Sequence, residues 1–356
     1  MTIAPASPPR SLCLLRLSAL GDVTHVVPLV RTVQRAWPKV SLTWIIGKGE
    51  HRLLAGLEGV DFVEYDKASG FAGMRTVRQL LRERLSPGQR FDALLQMQVA
   101  ARANLLSAFI PAERRIGYDR SRSKDLHGFF INRRIPDRPG IHVLDAIGSF
   151  CEPLGLKQTN VTWNLPVPDD AHAWARAQWT DDGIRTLLIS PCSSHVRRNW
   201  RADRYAAVAD HAIDRGWRVV LCGGRSALER DTGDAIVAQM RGTVLDLIGK
   251  DTLKQLPALL ARADLLMTPD SGPMHIANAM GAKVLGLHAA SNPLRSGPYS
   301  DVRYCVDRYD DAARKYLRKP AAALAWGSKI EHDGVMDLVT VHDAIAAFER
   351  RVADLG

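Results

Sequence analysis

The sequence predicts an α/β protein with two parallel-sheet domains in tandem. Short apolar runs bounded by Pro and Gly alternate with segments of helical periodicity, which is typical of βαβ units. This alternation occurs twice, in residues 11–165 and again in residues 184–330. A chain of 356 residues is long enough for two such domains. We therefore predict two Rossmann-like domains whose ligand sites lie in the loops after the strands, in a cleft between the domains.

The first series of elements follows a Pro-rich start, residues 1–10, which we expect to be a disordered arm. The run LCLLRL at residues 12–17 predicts a buried strand, and the next segment has helical periodicity. We place a helix at residues 23–36 and strands at residues 42–46, 61–65 and 93–97. Residues 113–138 are so rich in charge that we expect a loop there.

The second series follows a linker expected at residues 166–183, which contains two prolines, several acids and a possible helix at residues 170–178. We place strands at residues 186–190, 218–224, 243–249, 265–268 and 284–287. Helices are predicted at residues 203–215, 228–240, 253–261 and 274–280. The last segment, residues 331–356, carries an apolar helical stripe from Val341 to Val352, and Thr340 with Asp343 is a plausible helix cap.

Composition narrows the function classes. The net charge of +10, from 48 basic and 38 acidic residues, favours anionic partners. No apolar run reaches the ~20 residues of a membrane helix, and the start of the chain does not resemble a secretory signal. The five cysteines form no CxxC pair, which argues against a disulfide framework or a zinc site and favours a reducing cytoplasm.

The stretch MTPDSGPMHIANAMGAKVLGL places Asp270, Ser271 and Gly272 between a strand and a short helix. Asp270 or Ser271 can cap that helix, and Gly281 can take the left-handed position after its end. A helix start offers free N–H groups and a partial positive charge, which suit a phosphate group. An ordinary capped helix is the alternative.

The loop RLSALGDVTHVVP places Asp22 just after the first strand. Its carboxylate is suited to act as a general base that takes a proton from an acceptor hydroxyl. The alternative is a helix N-cap, which is a common role for Asp. His25, one turn further on, can orient a substrate or simply pack.

The loop SPCSSHVRRNWRADRY follows the first strand of the second domain. Its hydroxyls and its cationic side chains predict an anion clamp, because guanidinium groups bind phosphate in a bidentate manner. A solvated basic loop is the alternative. The candidate ligands here are Ser193, Ser194, His195, Arg197 and Arg198.

A glycine pair at residues 223–224 follows a later strand, and Glu229 lies on the next helix. Such turns often accommodate nucleotides, but two glycines alone are a weak signal. The chain contains neither GxGxxG at this position nor GxxxxGK[ST], which argues against ordinary NAD and P-loop sites.

Residues 113–138 carry eight Lys or Arg and four acids, a net of +4, with Phe129 and Phe130 among them. This segment is either a solvated loop or a docking surface for an acidic, membrane-bound acceptor.

Together, LLRLSALGDVTHVVP, RRIGYDRSRSKD and MTPDSGPMHIANAMGAKVLGL resemble the family 9 glycosyltransferases, the ADP-heptose:lipopolysaccharide heptosyltransferases. The chain looks most like the heptosyltransferase I branch, which acts on the Kdo of the inner core. The resemblance covers roughly residues 11–350. It implies a GT-B fold of two facing Rossmann-like domains, with a C-terminal helix crossing back to the N-terminal domain. It also implies inversion at the anomeric carbon without a metal.

The resemblance assigns roles to residues of this chain. Asp22 matches the family's catalytic Asp, and Arg198 stands where relatives commonly carry Lys, beside the leaving diphosphate. Apart from the resemblance, the net charge of residues 113–138 and the pair Phe129–Phe130 suggest that Arg120, Arg122 and Lys124 bind the acceptor. Positions that would hold the donor are Ser193, Ser194, Glu229, Asp270, Ser271, Gly272 and His275.

We thus expect an inverting, metal-independent transferase that moves heptose from ADP-heptose to Kdo-lipid A and has no other cofactor. It would be cytoplasmic and peripheral on the inner membrane, with no nucleic-acid partner. The alternatives are a family 9 enzyme with another nucleotide-diphosphate sugar, a GT-B-fold nucleotide-sugar epimerase, and a non-catalytic anion-binding module. A nucleic-acid role is disfavoured because no stacking-aromatic motif is evident.

Overall fold

The computed structural model describes residues 8–355. Residues 1–7 of the expected arm, and residue 356, lie outside the described part. The chain divides into two compact units, Met1–Pro166 and Val167–Gly356. The boundary thus falls at the start of the expected linker, and the remainder of that linker belongs to the second unit.

The first unit contains one parallel sheet whose six strands are β1 (Ser11–Leu15), β2 (Ser41–Gly47), β3 (Asp61–Tyr65), β4 (Phe91–Gln96), β5 (Ala112–Gly117) and β6 (Arg133–Arg134). Its helices are α1 (Leu20–Ala36), α2 (Lys48–Leu54), α3 (Gly70–Arg84), α4 (Ala101–Ser107) and α5 (Val143–Gly148). Single 3₁₀ turns lie at Lys67–Ser69, His127–Phe130 and Ser149–Leu154.

The strand order of this sheet is β3-β2-β1-β4-β5-β6, with every pair parallel. All five residues of β1 are buried, because helices cover both faces of a parallel sheet. The apolar runs recognised in the sequence are therefore the central strands.

The second unit repeats this plan with strands β7 (Thr186–Ile189), β8 (Arg218–Leu221), β9 (Leu245–Asp246), β10 (Leu265–Pro269), β11 (Val284–His288) and β12 (Val306–Asp307). Its helices are α6 (Asp169–Arg176), α7 (Ala202–Asp214), α8 (Ala227–Val237), α9 (Gln255–Arg262), α10 (Gly272–Ala279), α11 (Pro293–Ser296), α12 (Tyr309–Leu317) and α13 (Val341–Ala353). Its 3₁₀ turns lie at Val196–Arg198, Val302–Tyr304, Ala321–Ala323 and Val335–Leu338.

The strand order here is β12-β11-β10-β7-β8-β9, again parallel. Counted from the first strand of each unit, both sheets have the same connectivity. The predicted architecture, two Rossmann-like α/β units in tandem, is therefore confirmed.

The C-terminal helix α13 packs within the second unit. Its buried face joins the same apolar core as α7 and β11, and Thr340 with Asp343 forms the expected capping box. A Glu349 carboxylate oxygen forms a hydrogen bond with His211 Nε2 at 2.7 Å, and Arg351 forms an ion pair with Asp301 at 3.2 Å. The apolar stripe of α13 is therefore buried within its own unit, and the expected crossing of this helix to the first domain stays a prediction.

The charged segment 113–138 is not a loop throughout. It contains β5, β6 and a 3₁₀ turn. Arg115 on β5 is accommodated because its guanidinium donates to three backbone carbonyls, those of Ser107, Ile110 and Phe130. The prediction of a loop was wrong, because side-chain charge concealed a paired strand.

Within residues 8–355, none of the helices is both long enough and apolar enough to cross a membrane.

Candidate functional site

Each sheet places its polar loops at the carboxyl ends of its two central strands. The strand order reverses between β1 and β4 in the first unit, and between β7 and β10 in the second. Loops that leave such a pair diverge in opposite directions and open a crevice for ligand. The predicted site residues after β1, β7 and β10 therefore lie where the fold makes room for a substrate.

In the first unit, Asp22 forms an ion pair with Arg16. The Arg16 Nη2 atom lies 2.5 Å from Asp22 Oδ2. Arg16 is mostly buried and also donates to the carbonyl of Met97, whereas the Asp22 side chain is 34% exposed. Burial works against the charge of Arg16, but Asp22 and Tyr118 together raise its pKa above the usual value. The fixed guanidinium therefore stabilises a carboxylate that remains partly exposed to solvent.

Asp22 occupies the third position of α1 and is not its N-cap. The N-cap is Ala19, whose N–H donates to Asp22 Oδ2 at 3.1 Å. The carboxylate thus fixes the helix start as well as facing Arg16. His25 is buried and packs edge-on against the His142 ring at 5.7 Å, which favours the packing role for His25.

In the second unit, helix α10 begins without a side-chain cap. Ser271 holds the N-cap position, but its hydroxyl lies 2.8 Å from Thr268 Oγ, and none of its hydrogen bonds caps the helix. Gly281 follows the helix end with a φ of +79°, as the sequence predicts. Because no side chain caps this helix start, the N-terminal dipole can favour an anion there.

Asp270 precedes this helix and is held by cations. Its carboxylate is buried and accepts from Lys329 Nζ at 2.7 Å, while Arg198 Nη1 lies 4.0 Å away. Burial alone would raise the pKa of Asp270, but Lys329 and the nearby His288 and His275 bring it well below its usual range. Asp270 is therefore an ionised acceptor inside a basic cluster.

Arg198 also faces a carboxylate from the C-terminal part of the chain. Its Nε donates to Glu331 Oε1 at 2.9 Å, and His195 Nε2 lies 3.2 Å from the other Glu331 oxygen. Arg198 is 22% exposed, while Arg197 points to Asp333 and is 51% exposed. The structure thus brings Arg198, and not Arg197, beside Asp270.

The two serines after β7 differ. Ser193 is buried, and its hydroxyl donates to the His195 carbonyl at 3.0 Å. Its N–H donates to Asn199 at 2.7 Å, so Ser193 shapes the loop. Ser194 is exposed. Of the pair, only Ser194 presents its side chain to solvent.

Glu229 lies at the first turn of α8, where it accepts from the Gly224 N–H at 2.7 Å and from the Ser226 hydroxyl at 2.6 Å. Ser226 is the N-cap and accepts in turn from the Glu229 N–H. Asp251, after β9, is nearby, and burial together with the charge of Glu229 raises the pKa of Asp251 to about 6. Two acids therefore follow neighbouring strands at this end of the sheet.

Two histidines border the Asp270 cluster. His275 is buried on α10. His288 ends β11, is fully buried and lies 3.2 Å from the Ser291 hydroxyl through Nδ1. Burial lowers the pKa of His288 to about 4, although the negative charge of Asp270 acts to raise it. The ring is therefore neutral near pH 7.

The three predicted acceptor residues are not equivalent. Arg120 and Lys124 are exposed. Arg122 instead forms a short ion pair with the buried Asp119, donates to the Pro136 carbonyl at 3.0 Å and stacks over Tyr118. Arg122 is thus engaged in holding its own turn, a role that the count of charges in the sequence did not reveal.

Sequence reasoning missed Lys329 and Glu331. They lie 59 and 133 residues from the partners they contact, Asp270 and Arg198. The available signal was the pair of opposite charges at Lys329 and Glu331, which follows a Gly-containing turn at Gly327 without helical or strand periodicity.

Among residues 8–355, no group of three or more His, Cys, Asp or Glu side chains could hold a metal ion. The charged atoms around Asp270 are instead those of lysine and arginine, which suit a phosphate.

Comparisons with known proteins identify the family of this chain. The model of glycosyltransferase family 9 (heptosyltransferase) matches residues 77–325. The lipopolysaccharide core heptosyltransferase OpsX of Haemophilus influenzae is 37% identical over 96% of this chain and 97% of its own length.

Solved structures share the fold. A family 9 glycosyl transferase from Veillonella parvula superposes with a TM-score of 0.78 at 22% identity, covering 97% of both chains. The Escherichia coli heptosyltransferase WaaC, solved with ADP, gives 0.71 at 15% identity, covering 97% of this chain and all of its own. The family model matches well over half of this chain, and OpsX is 37% identical to nearly all of it. The chain therefore belongs to glycosyltransferase family 9.

Proposed function

We propose that this protein is an inverting heptosyltransferase of lipopolysaccharide inner-core synthesis that takes heptose from ADP-heptose. The observation that carries the proposal is the pair of cations, Lys329 and Arg198, held around Asp270 at the uncapped start of α10. Such a site suits a nucleoside diphosphate that leaves with added negative charge. The similarity to OpsX over nearly the whole chain supports the choice of heptose.

The leaving group is stabilised by the second unit. As the bond from the sugar to the diphosphate breaks, negative charge grows on the phosphate oxygens. The N–H groups at the start of α10 and the cations Lys329 and Arg198 are already oriented, so they need not reorganise during the reaction. Ser193 supports the loop, Ser194 contributes a hydroxyl, and Gly272 lets the phosphate approach the backbone.

The sugar and nucleoside are held by acceptor groups of the same unit. The buried, ionised Asp270 accepts from sugar hydroxyls, with His275 beside it. Glu229 binds the ribose and gives up its bond to Ser226 when it does so, with Asp251 as its neighbour.

The acceptor is activated by the first unit. Asp22 accepts the proton of the attacking hydroxyl while Arg16 keeps its carboxylate oriented. The hydroxyl oxygen then bonds to the anomeric carbon from the face opposite the diphosphate, which inverts the configuration. Arg120 and Lys124 bind the anionic acceptor, for which we propose Kdo-lipid A at the cytoplasmic face of the inner membrane.

The transfer needs no divalent metal, because lysine, arginine and helix N–H groups supply the positive charge. Full activity is expected in EDTA. A loss of turnover in EDTA that Mg²⁺ or Mn²⁺ restores would contradict this part of the proposal.

The donor is tested with a panel of ADP-, GDP- and UDP-sugars, each with and without an inner-core acceptor, by following the release of nucleoside diphosphate. We expect release only from ADP-heptose and only with acceptor present. Release from a GDP- or UDP-sugar would assign another donor. Conversion of the donor without an acceptor would indicate an epimerase.

A further inference from the structure

We propose that one face of the first unit, formed by α3, α4 and the turn at residues 124–130, docks on an anionic lipid bilayer. We call it the α3–α4 surface. The inference rests on the proposed function for its choice of partner, a membrane that carries the acceptor. Apart from Lys124, the residues that carry it lie outside the assigned site.

Exposed apolar side chains are concentrated on this face. Among the described residues of the first unit, the large apolar side chains that are markedly exposed are Phe71 (51%), Leu105 (42%), Leu126 (71%) and Phe129 (86%). Single exposed apolar residues are ordinary, but a cluster rimmed by polar groups marks a contact surface.

Direct contacts join the three segments. The rings of Phe71 on α3 and Phe109 after α4 lie 5.9 Å apart. Asp125 accepts from the Ala101 N–H at 3.0 Å, and its carbonyl accepts from Asn104 at 2.8 Å, which ties the turn to α4. The exposed Phe and Leu side chains therefore belong to one continuous face.

Helix α3 presents basic residues on the same face. Its buried positions are Gly73, Met74, Val77 and Leu81. Phe71, Arg75, Arg78 and Arg82 follow at helical spacing and are all exposed. The helix carries four arginines and one glutamate, a net of +3. The apolar face of α3 packs in the core of its own unit, so the helix presents to solvent a stripe of arginines with one Phe, which suits an anionic surface.

The acids of this face are engaged locally. Asp66 caps the turn before α3 by accepting from Ala68, Glu83 accepts from Gln79, and Asp125 holds the start of α4. These three acids keep their negative charge, but the exposed basic residues of the surface outnumber them and make it positive; they are Arg75, Arg78, Arg82, Arg102 and Lys124.

An anionic bilayer satisfies both features at once. Phe129 and Leu126 can enter the acyl boundary while the arginines meet lipid phosphates. A second copy of the same surface would place arginines against arginines, which opposes a symmetric dimer. Nucleic acid would leave the aliphatic Leu105 and Leu126 without a partner.

The test uses flotation of the full chain, without donor or acceptor, with vesicles of phosphatidylcholine alone or with phosphatidylglycerol added. The wild type should float with the anionic vesicles only, and less in high salt. Leu126→Asn/Phe129→Ser and, separately, Arg75→Glu/Arg78→Glu should each weaken binding about tenfold or more. Asn suits position 126, whose φ is +60°.

Matched controls lie in the second unit, where Val237→Ser and Arg350→Glu make the same chemical changes at exposed positions. Both should bind vesicles as the wild type does. Equal weakening in the controls, or no binding of the wild type to anionic vesicles, would overturn the proposal. Tighter binding to duplex DNA than to vesicles, unaffected by Phe129→Ser, would assign nucleic acid instead.

Analytical ultracentrifugation tests whether the α3–α4 surface is instead a dimer interface. A wild-type dimer that the Leu126→Asn/Phe129→Ser variant no longer forms would also overturn the proposal. Arg75→Glu/Arg78→Glu should keep its turnover on a delipidated acceptor. This turnover measurement separates the two proposals. A variant that loses vesicle binding but keeps its turnover supports the docking surface, whereas a wild type without turnover contradicts the transferase proposal.

Discussion

The two units share one strand order but use its central crevice differently. In the first, a partly exposed carboxylate, Asp22, faces one buried guanidinium, that of Arg16. In the second, a buried carboxylate, Asp270, is surrounded by Lys329 and Arg198. The two sites therefore differ in the burial of the carboxylate and in the number of cations beside it, although Arg198 also pairs with Glu331.

The difference shows that topology supplies the location and side chains supply the chemistry. A partly exposed carboxylate can accept a proton, whereas partly exposed lysine and arginine side chains can bind a diphosphate. If the two sets of strand ends have these separate functions, substitutions in the two units should have different effects on turnover and on donor binding.

The largest effect is expected from Asp22→Asn, which keeps the shape but removes the proton acceptor. Turnover should fall by about 10²–10⁴-fold while donor affinity stays unchanged. Steady-state kinetics and ADP titration would measure the two quantities. Asp66→Asn, at another capping carboxylate of the first unit, is the matched control and should leave turnover unchanged.

Near wild-type turnover in Asp22→Asn would remove the general-base assignment. A lower melting temperature as the main effect would leave Asp22 with only its role at the start of α1.

The second largest effect is expected from Arg198→Ala, which changes the site at the strand ends of the second unit. Because charge on the diphosphate increases in the transition state, kcat should fall about 10²–10³-fold and KM should change less. Arg198→Lys should recover part of the loss, since the charge returns without the fork geometry. Arg197→Ala should be mild, because Arg197 pairs with Asp333 at the surface.

Removing Arg198 also leaves Glu331 without its main partner, so Arg198→Ala/Glu331→Gln is needed beside it. If the double variant regains kcat, the loss came from the unpaired Glu331. If His195→Ala or Arg197→Ala is more severe than Arg198→Ala, another cation serves the diphosphate.

The sequence predicted much of the fold, since the buried strands and helix ends depend on local patterns. Asp61–Tyr65 was placed to the residue, and Gly281 takes its expected backbone conformation. Strand β5 was missed because Arg114 and Arg115 on it donate to backbone carbonyls of other segments, those of Asp92 and Phe130 respectively. Lys329 was missed for the same physical reason, since its contact with Asp270 is purely tertiary.

Lys329→Met tests whether that tertiary contact matters for binding or only for stability. Losing the lysine leaves Asp270 buried with a single cation at 4.0 Å, so the free energy of unfolding should fall by about 3 kcal/mol. Calorimetric titration should also show weaker ADP binding, because a phosphate donor is lost.

Asp270→Asn/Lys329→Met separates the two effects. The double variant removes the uncompensated charge, so its stability should recover while ADP binding remains weak. ADP is used because the proposed role of Asp270 concerns the sugar. ADP affinity equal to the wild type would make Lys329 only the counter-ion of Asp270.

The smallest effect is a pH dependence that each unit should show through one buried histidine. In the first unit, His127 Nε2 accepts from the Tyr118 N–H at 3.1 Å, which fits a neutral ring, and burial lowers the pKa of His127 to about 4. Burial lowers the pKa of His288 in the second unit to about 4 as well. The unfolded chain binds these protons near pH 6.5.

Since both pKa values are lower in the folded protein, the stabilisation is complete above pH 6.5, is lost as the pH falls towards 4, and is constant below that. Each histidine should contribute up to about 3 kcal/mol of this change. The stabilisation from Asp270, whose pKa lies below its usual range, should persist until the pH is lower still, so the two effects separate. Hydrogen exchange at pH 7.5 and 5.0 measures each unit separately. His127→Gln should reduce the pH dependence of stability in the first unit only, and His288→Gln should reduce it in the second unit only. If either substitution reduces the pH dependence in both units, the two sheets do not unfold independently.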